Sequence, residues 1–497
     1  MDRGDLSREI PLEKIPFIQK MITKKAKEVG KEIFIATNTL ENMAEDLKPS
    51  KAETNDIVNS LFDGVSGFVL TKEIAIGKHP VETMNMLINI IKEFEKYQIN
   101  SNIDLNNMQS NLLPSPHGGK LINRFFKKNL RKEEINSLKK INIDLETLMD
   151  LEQIANGSFS PLEGFMNKKD LQSVLQHMRL EDGTIWPLPI TLQVSDIFGL
   201  KQGEDILLMY KGESYGILHL KEIYQPSKEN FIKKAFGTED RRHPGVDKFM
   251  NKGNYFLGGK ISLIKKRHTK SKLYELTPSQ TRQIFSEKGW SKVVGFHTRK
   301  VIHKSHEFIQ LEAMKNNFCD ALFVHPVVGK KKKGDFEAEI IIESYEKMIN
   351  KFYPKGKVIF SVFPTYSRYA GPREALFTAI VRKNFGCSHF IVGRDHTGVG
   401  NFYDPEASHK IFNNFKIDEL GIFPVKFNKV FYSNLYNKHI HDAGQLNHPE
   451  ENKMQISGTQ AREMLQKMKN PPEWFMRPEI SNLIIKKIKK GEKVFVE

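Results

Sequence analysis

An α/β protein built on a doubly wound, Rossmann-like sheet is what this sequence predicts, and three observations carry that reading. From Leu276 onward, short apolar runs alternate with helical stretches, the pattern of parallel strands joined by crossover helices. Between about Pro114 and Lys270 this gives way to short strands among turns and prolines, which predicts a mostly β domain with some helices. Residues 1 to about 97 alternate β and α again. A length of 497 residues suffices for several domains. The changes of texture divide it into 1–99, a linker at 100–113, then 114–270, 271–435 and a small helical region at 436–497.

The elements follow in order. Residues 32–37 and 67–71 are short β-rich runs that read as buried strands, with helical patterns at 15–30, 52–62 and 80–97 around them. The Asn- and Ser-rich stretch 100–111 has the composition of a linker. The sequence predicts strands in the middle region at 190–194, 205–209 and 214–220. The later alternation places strands at 292–296, 321–325, 358–362 and 389–392. In an open parallel sheet, ligands gather at the carboxyl ends of the strands.

Composition narrows the class. A hydrophobic content of 39% with 27% charge fits a globular protein that folds in water. The net charge of +16 reads as a Lys-rich solvated surface and as a field that suits anionic substrates, with no nucleic-acid partner expected. Lys330, Lys331, Lys332 and Lys333 stand between Gly329 and Gly334, the pattern of an exposed loop. Cys319 and Cys387 are the only cysteines, which argues against a disulfide framework and for a reducing cytoplasm. Without a CxxC, a thiolate zinc site is not expected. No apolar run approaches the roughly 18 residues of a spanning helix, and MDRGDLSREIP lacks an apolar signal core, so no membrane partner is expected.

Two motifs stand directly after predicted strands. The first is His297-Thr298-Arg299-Lys300-Val301-Ile302-His303-Lys304-Ser305-His306. A helix is predicted from about His303 to Met314, so His303 and His306, three apart, share a face of its first turn. A helix N-terminus favours anions. Two imidazoles there can donate hydrogen bonds to phosphate oxygens as charge builds in a transition state. Arg299 adds a planar fork that matches a tetrahedral oxyanion. The second motif is Gly393-Arg394-Asp395-His396-Thr397-Gly398. Its glycines let backbone N–H groups approach a phosphate or sulfate, Arg394 supplies charge, and Asp395 can orient a neighbour or contact a nucleotide. Together they suit a nucleoside triphosphate whose α-phosphorus is attacked by a second anion.

Further segments appear in one order over about 385 residues: Pro116-His117-Gly118-Gly119, Phe159-Ser160-Pro161-Leu162-Glu163-Gly164-Phe165-Met166, Trp186-Pro187-Leu188-Pro189-Ile190, His325-Pro326-Val327-Val328-Gly329, Tyr369-Ala370-Gly371-Pro372-Arg373-Glu374-Ala375 and Ile456-Ser457-Gly458-Thr459. With both motifs, they make the chain from about Pro114 to its end resemble the ATP sulfurylases (sulfate adenylyltransferases). The resemblance implies a PUA-like β domain followed by a Rossmann-like nucleotidyltransferase domain. It also implies ATP and sulfate as substrates, adenylyl sulfate and pyrophosphate as products, Mg²⁺ with the ATP, and a homo-oligomer. By position in the motifs, it implies that His297, Arg299 and the Thr397 backbone hold sulfate. ATP would be held by His297, Thr298, Arg299, Lys300, His303, His306, Gly393, Arg394, Asp395 and His396. Thr298, Arg299, Lys300, His303, His306 and Arg394 would carry catalysis.

The chain departs from that family's usual residues at His297 (Gln), Lys300 (Asn) and Val301 (Pro), which admits a non-catalytic nucleotide- or sulfate-binding relative as the alternative. No cysteine lies in 432–449, so its histidines, His439, His441 and His448, are expected to be solvated rather than zinc-bound. No GxxxxGK[ST] loop is present, so a second, kinase activity is not expected. The first 90 or so residues resemble the last part of the pyruvate kinase barrel, through Arg3-Gly4-Asp5-Leu6, Ile35-Ala36-Thr37, Leu40-Glu41-Asn42-Met43, residues 49–56, Asp63-Gly64 and residues 77–82. That resemblance puts Asp5 and Thr37 on metal and substrate positions. The preceding strands with their lysine and acidic ligand are missing, so a non-catalytic partial (β/α) barrel fragment is expected.

Overall fold

The computed structural model describes residues 1–99, 113–126, 137–394, 396–441 and 448–496. Most of the expected linker, and Asp395, lie outside the described residues. The chain forms two compact units, Met1–Leu112 and Leu113–Glu497.

In the first unit, helices α1 (Arg3–Glu9), α2 (Ile15–Glu28), α3 (Lys51–Asp63) and α4 (Pro80–Ile99) surround strands β1 (Phe34–Ala36) and β2 (Gly67–Val69). The strands are parallel, with Ile35 opposite Phe68. A capping box of Ser50 and Glu53 starts α3. A small core of Leu40, Met43, Ile57, Leu87 and Ile90 holds the unit. Two strands among the described residues do not close a barrel.

The second unit begins with a mixed sheet of β3 (Lys139–Asn142), β4 (Gly164–Phe165), β5 (Leu192–Val194), β6 (Asp205–Tyr210), β7 (Glu213–Tyr224) and β8 (Tyr255–Leu263). Its order is β3-β6-β7-β8-β4, with β5 also on β8. Lys211 and Gly212, both at positive φ, turn β6 into β7, the two-residue geometry that matches strand twist. Helices α5 (Leu145–Ala155), α6 (Lys168–His177), α7 (Lys228–Phe236) and α8 (Pro244–Met250) accompany this sheet.

The second sheet contains β9 (Val293–Thr298), β10 (Ala321–Pro326), β11 (Val358–Phe360), β12 (His389–Gly393) and β13 (Phe423–Phe427), alternating with α9 (Pro278–Glu287), α10 (Lys304–Asn316), α11 (Ala338–Phe352) and α12 (Pro372–Asn384). All five strands are parallel and their order is β11-β10-β9-β12-β13. The chain builds outward in one direction from β9, then returns to build outward on its other side from β12. That reversal is a topological switch point. β9 pairs with β10 over six residues but with β12 over only two, at Val294 and Gly295. The carboxyl ends of β9 and β12 therefore leave the ladder next to each other, and each motif begins there. The apolar pattern of the sequence does not predict β13; Pro424 within it suits an edge strand.

The two sheets share one core. Phe159 and Trp186 of the first region meet Phe377 of α12 edge to face, at 5.1 and 5.6 Å. Such pairs contribute ~1 kcal/mol each beyond area burial. The carboxyl-terminal part holds α13 (Gly458–Gln466) and α14 (Pro478–Lys489). It is not only helical: β14 (Val430–Ser433), β15 (Lys438–His441) and β16 (Lys453–Met454) form an antiparallel sheet beside them.

Candidate functional site

The first motif straddles the end of β9 and the start of α10. His297 and Thr298 are the last residues of the strand, and His303 is the N-cap residue of α10. The His303 and His306 rings stack at 3.7 Å. Phe475 lies 5.0 Å from His303, and Phe296 lies 5.4 Å from His306. The Nδ1 atoms of His297, His303 and His306 are buried without a protein partner. Burial pushes His303 down to about 3 and holds His306 and His297 well below the usual histidine range, with Lys300 and Arg382 among the nearby charges adding to it. These imidazoles are neutral at physiological pH, so each presents one N–H donor rather than a cation. The Arg477–Glu307 pair, at 2.9 and 2.6 Å, ties α10 to the segment that carries Phe475.

A cavity of about 440 Å³ opens beside this motif, within the size range of small-molecule sites. Arg299, Lys300 and His303 line it. His306 does not line it but backs His303. The far wall comes from residues that sequence reasoning did not single out, among them Lys429, Phe431, Arg462 and Trp474. Gly458 and Thr459, at the start of α13, also line it; a capping box of Ser457 and Gln460 opens that helix.

The second motif lies outside the cavity's lining. Gly393 ends β12, and Arg394 is exposed. His396 approaches His297 to 5.5 Å between ring centres, and its Nε2 sits 3.1 Å from the Thr378 hydroxyl. Burial holds His396 at about 3. Thr397 adopts a positive φ of 60°, and its hydroxyl donates between the His396 carbonyl at 2.6 Å and the Gly371 carbonyl at 2.9 Å. His297 and His396 are thus the seam between the motifs.

Arg299 donates to Ser367 Oγ at 3.4 Å and lies 5.5 Å from the centre of the Tyr369 ring. The lysine run corrects an expectation. Lys330 pairs with the buried Glu146 at 3.4 Å, and Lys332 lines the cavity. Lys331 turns inward, its ammonium buried with no hydrogen-bond partner and brought down to about 8 by burial and by Arg299. A loop between glycines is free to turn one side chain in while its neighbours stay out.

Other expectations change too. His448 is buried between the Ser433 hydroxyl at 2.7 Å and the Pro449 carbonyl at 2.9 Å, so it is packed and not solvated. His439 lines the cavity, and burial brings it down to about 4. Asp5, on α1, is exposed and pairs with Arg8 at 3.4 Å; it is Asp2 that accepts from Thr37. Among the described residues, no cluster of three His, Cys, Asp or Glu residues could hold a metal, and no helix is long and apolar enough to cross a membrane.

Comparison with known proteins adds to this geometry. A family model described as ATP-sulfurylase matches residues 272–487, one described as a PUA-like domain matches 114–266, and the barrel domain of pyruvate kinase matches 1–84. A sulfate adenylyltransferase of Ignicoccus hospitalis is 43% identical over 383 residues, covering 75% of this chain and 98% of that protein. One from Pyrococcus abyssi is 42% identical over 380 residues, covering 75% and 98%. A solved structure described as hexameric APS kinase from Thiobacillus denitrificans shares the fold, with a TM-score of 0.60 at 23% identity over 76% of this chain and 68% of that one.

Proposed function

We propose that this chain, which belongs to the ATP-sulfurylase (sulfate adenylyltransferase) family, transfers the adenylyl group of ATP to sulfate. A sulfate oxygen attacks the α-phosphorus in line, and the bond from that phosphorus to the β-bridging oxygen breaks. Pyrophosphate leaves with the electron pair, and adenylyl sulfate remains. The observation that carries the proposal is the meeting of the two motifs at the switch point, with an open cavity beside the first.

Two anions repel, so catalysis consists of aligning them and stabilising charge. Arg299, His297 and the Thr397 backbone N–H hold sulfate. Lys300 and His303 stand along the α- and β-phosphates, backed by His306 and Thr298, with the α10 N-terminus adding its field. Gly393, Arg394, Asp395 and His396 contact the nucleotide. Mg²⁺ enters with ATP as part of the substrate. Among the described residues Asp335 is the only acidic one lining the cavity, so the ion's ligands would come mainly from phosphate oxygens and water. No protein group becomes covalent.

His297 keeps a hydrogen-bonding nitrogen where the family has an amide, Lys300 adds a cation beside the phosphates, and Val301 packs in the core. These substitutions are compatible with turnover. The first unit serves as a non-catalytic docking or oligomerisation element, and the chain assembles as a homo-oligomer.

The test is pyrophosphate release with ATP and sulfate together and with each alone. Release that needs both supports the proposal, as does a loss of at least about a hundredfold in Arg299→Ala, the scale of removing one oxyanion-stabilising donor. Nucleotide binding without release would leave the binding-only reading, and wild-type turnover in Arg299→Ala would refute the site.

A further inference from the structure

The segment from Tyr366 to Gly371 touches both groups assigned to sulfate, and it is gripped from three sides. Its side chains alternate. Ser367 and Tyr369 face Arg299, one accepting its hydrogen bond at 3.4 Å and the other lying under its guanidinium at 5.5 Å. Tyr366 and Arg368 point the other way, into the β-rich region, where both bond the carboxylate of Asp150 on α5, Tyr366 at 2.9 Å. Arg368 and Asp150 are both buried, so this pair anchors the segment.

Tyr369 has a φ of 60°, a region that bulky residues seldom occupy. Its neighbours hold it there. Glu374 accepts from the backbone N–H groups of Arg368 at 2.9 Å and Ala370 at 3.0 Å. The Tyr369 carbonyl accepts from Tyr403 at 2.9 Å and from His243 Nε2 at 3.0 Å. His243 Nδ1 accepts from Gly245 and Val246, which leaves the proton on Nε2 for that bond. Gly371 completes the turn at a φ of 53°; a Cβ there would sit 2.7 Å from the Tyr403 ring. The Gly371 carbonyl then lies 2.9 Å from the hydroxyl of Thr397, the second non-glycine residue of this network held at positive φ; that hydroxyl's one proton is shared with the His396 carbonyl at 2.6 Å.

We infer that Tyr369, Ser367 and Gly371 form a positioning element that sets the separation of Arg299 from the Thr397 backbone, and so decides which tetrahedral dianion fits between them. Tyr369 and Ser367 fix the face and direction of the guanidinium. Gly371 fixes the turn that presents the Thr397 N–H. Both contacts come from one strained loop braced by Asp150, His243, Glu374 and Tyr403, so neither sulfate ligand can shift without straining the other. The inference rests on the assignment of Arg299 and Thr397 to sulfate proposed above.

The test measures kcat and separate KM values for sulfate and ATP, with selenate as a larger competing dianion. Tyr369→Leu removes the ring and hydroxyl, and Thr397→Val removes the link to Gly371 at nearly constant shape. Each should raise the sulfate KM about tenfold, change the ATP KM less than threefold, and lower the preference for sulfate over selenate. Should Tyr369→Leu fail to fold, Ser367→Ala carries the test with an expected two- to fivefold rise in sulfate KM. A sulfate KM within twofold of the parent in the folded variants, or an ATP KM that rises in step, overturns the inference. Arg299→Lys separates the two levels. If it keeps the parent's sulfate KM, the sulfate assignment itself falls. If it raises that KM while the loop variants do not, only the loop's role falls.

Discussion

In the first unit, the polar side chains of Asp2, Arg3, Thr37 and Glu73 are each bonded within the unit. Asp2 accepts from Thr37 at 2.9 Å and from the Gly4 N–H at 2.8 Å, Arg3 donates to the Asn38 carbonyl at 2.8 Å and to Asp56, and Glu73 accepts from the Thr71 N–H at 2.9 Å. Among the described residues, its only buried side-chain atoms without a partner are the hydroxyls of Thr23 and Thr39. In the second unit, three motif histidines and Lys331 keep buried nitrogens without partners. A buried polar group left unpaired costs ~1–3 kcal/mol. Of these groups His303 lines the cavity, where an incoming anion can satisfy it. The first unit has spent its polar groups on its own fold.

The comparison breaks first at the stacked imidazoles. His303→Ala together with His306→Ala should lower kcat by ~10²–10³, the range for removing stabilising donors, in steady-state pyrophosphate release. Next is the pH profile. Since burial holds His303 and His396 near 3 in the free protein, kcat/KM should show no histidine ionisation between pH 5 and 8 once the titration of ATP itself is divided out. An inflection near pH 6.5 that vanishes in His303→Gln would contradict the buried, neutral assignment.

A smaller effect belongs to Lys331. Its ammonium is brought down to about 8, so it is charged below that pH and loses its charge as the pH rises through it. Substrate-anion KM values should climb several-fold between pH 7 and 9, and Lys331→Met should flatten that climb while raising KM at pH 7. The smallest effect lies in the first unit. Asp2→Ala removes the N-cap of α1, worth about 1 kcal/mol, and should leave turnover unchanged while lowering that unit's denaturant midpoint.

Much of the fold was legible because buried parallel strands read as unbroken apolar runs. All six residues of β10 are buried, and the run that predicts it stands out. β13 did not, because Pro424, Lys426 and an exposed Phe423 interrupt it, as an edge strand permits. The motif histidines were legible because one strand-to-helix turn carries them. Ser367, Tyr369, Phe431 and Trp474 were not assigned roles, for they lie 60 or more residues from Arg299 in the chain and reach it only through the crossover topology and the carboxyl-terminal sheet. Lys331 reads as solvent-facing in the sequence because a run of four lysines carries no signal of which one turns inward.

The most direct measurement is pyrophosphate release from ATP, with and without sulfate, by the full chain and by residues 113–497 alone, the second unit with a length close to that matched in the relatives. If adenylyl transfer resides wholly at the switch point of the second unit, both proteins release pyrophosphate only when sulfate is present, at rates within twofold of each other. A folded second unit that is silent, or release by either protein from ATP alone, would contradict the account.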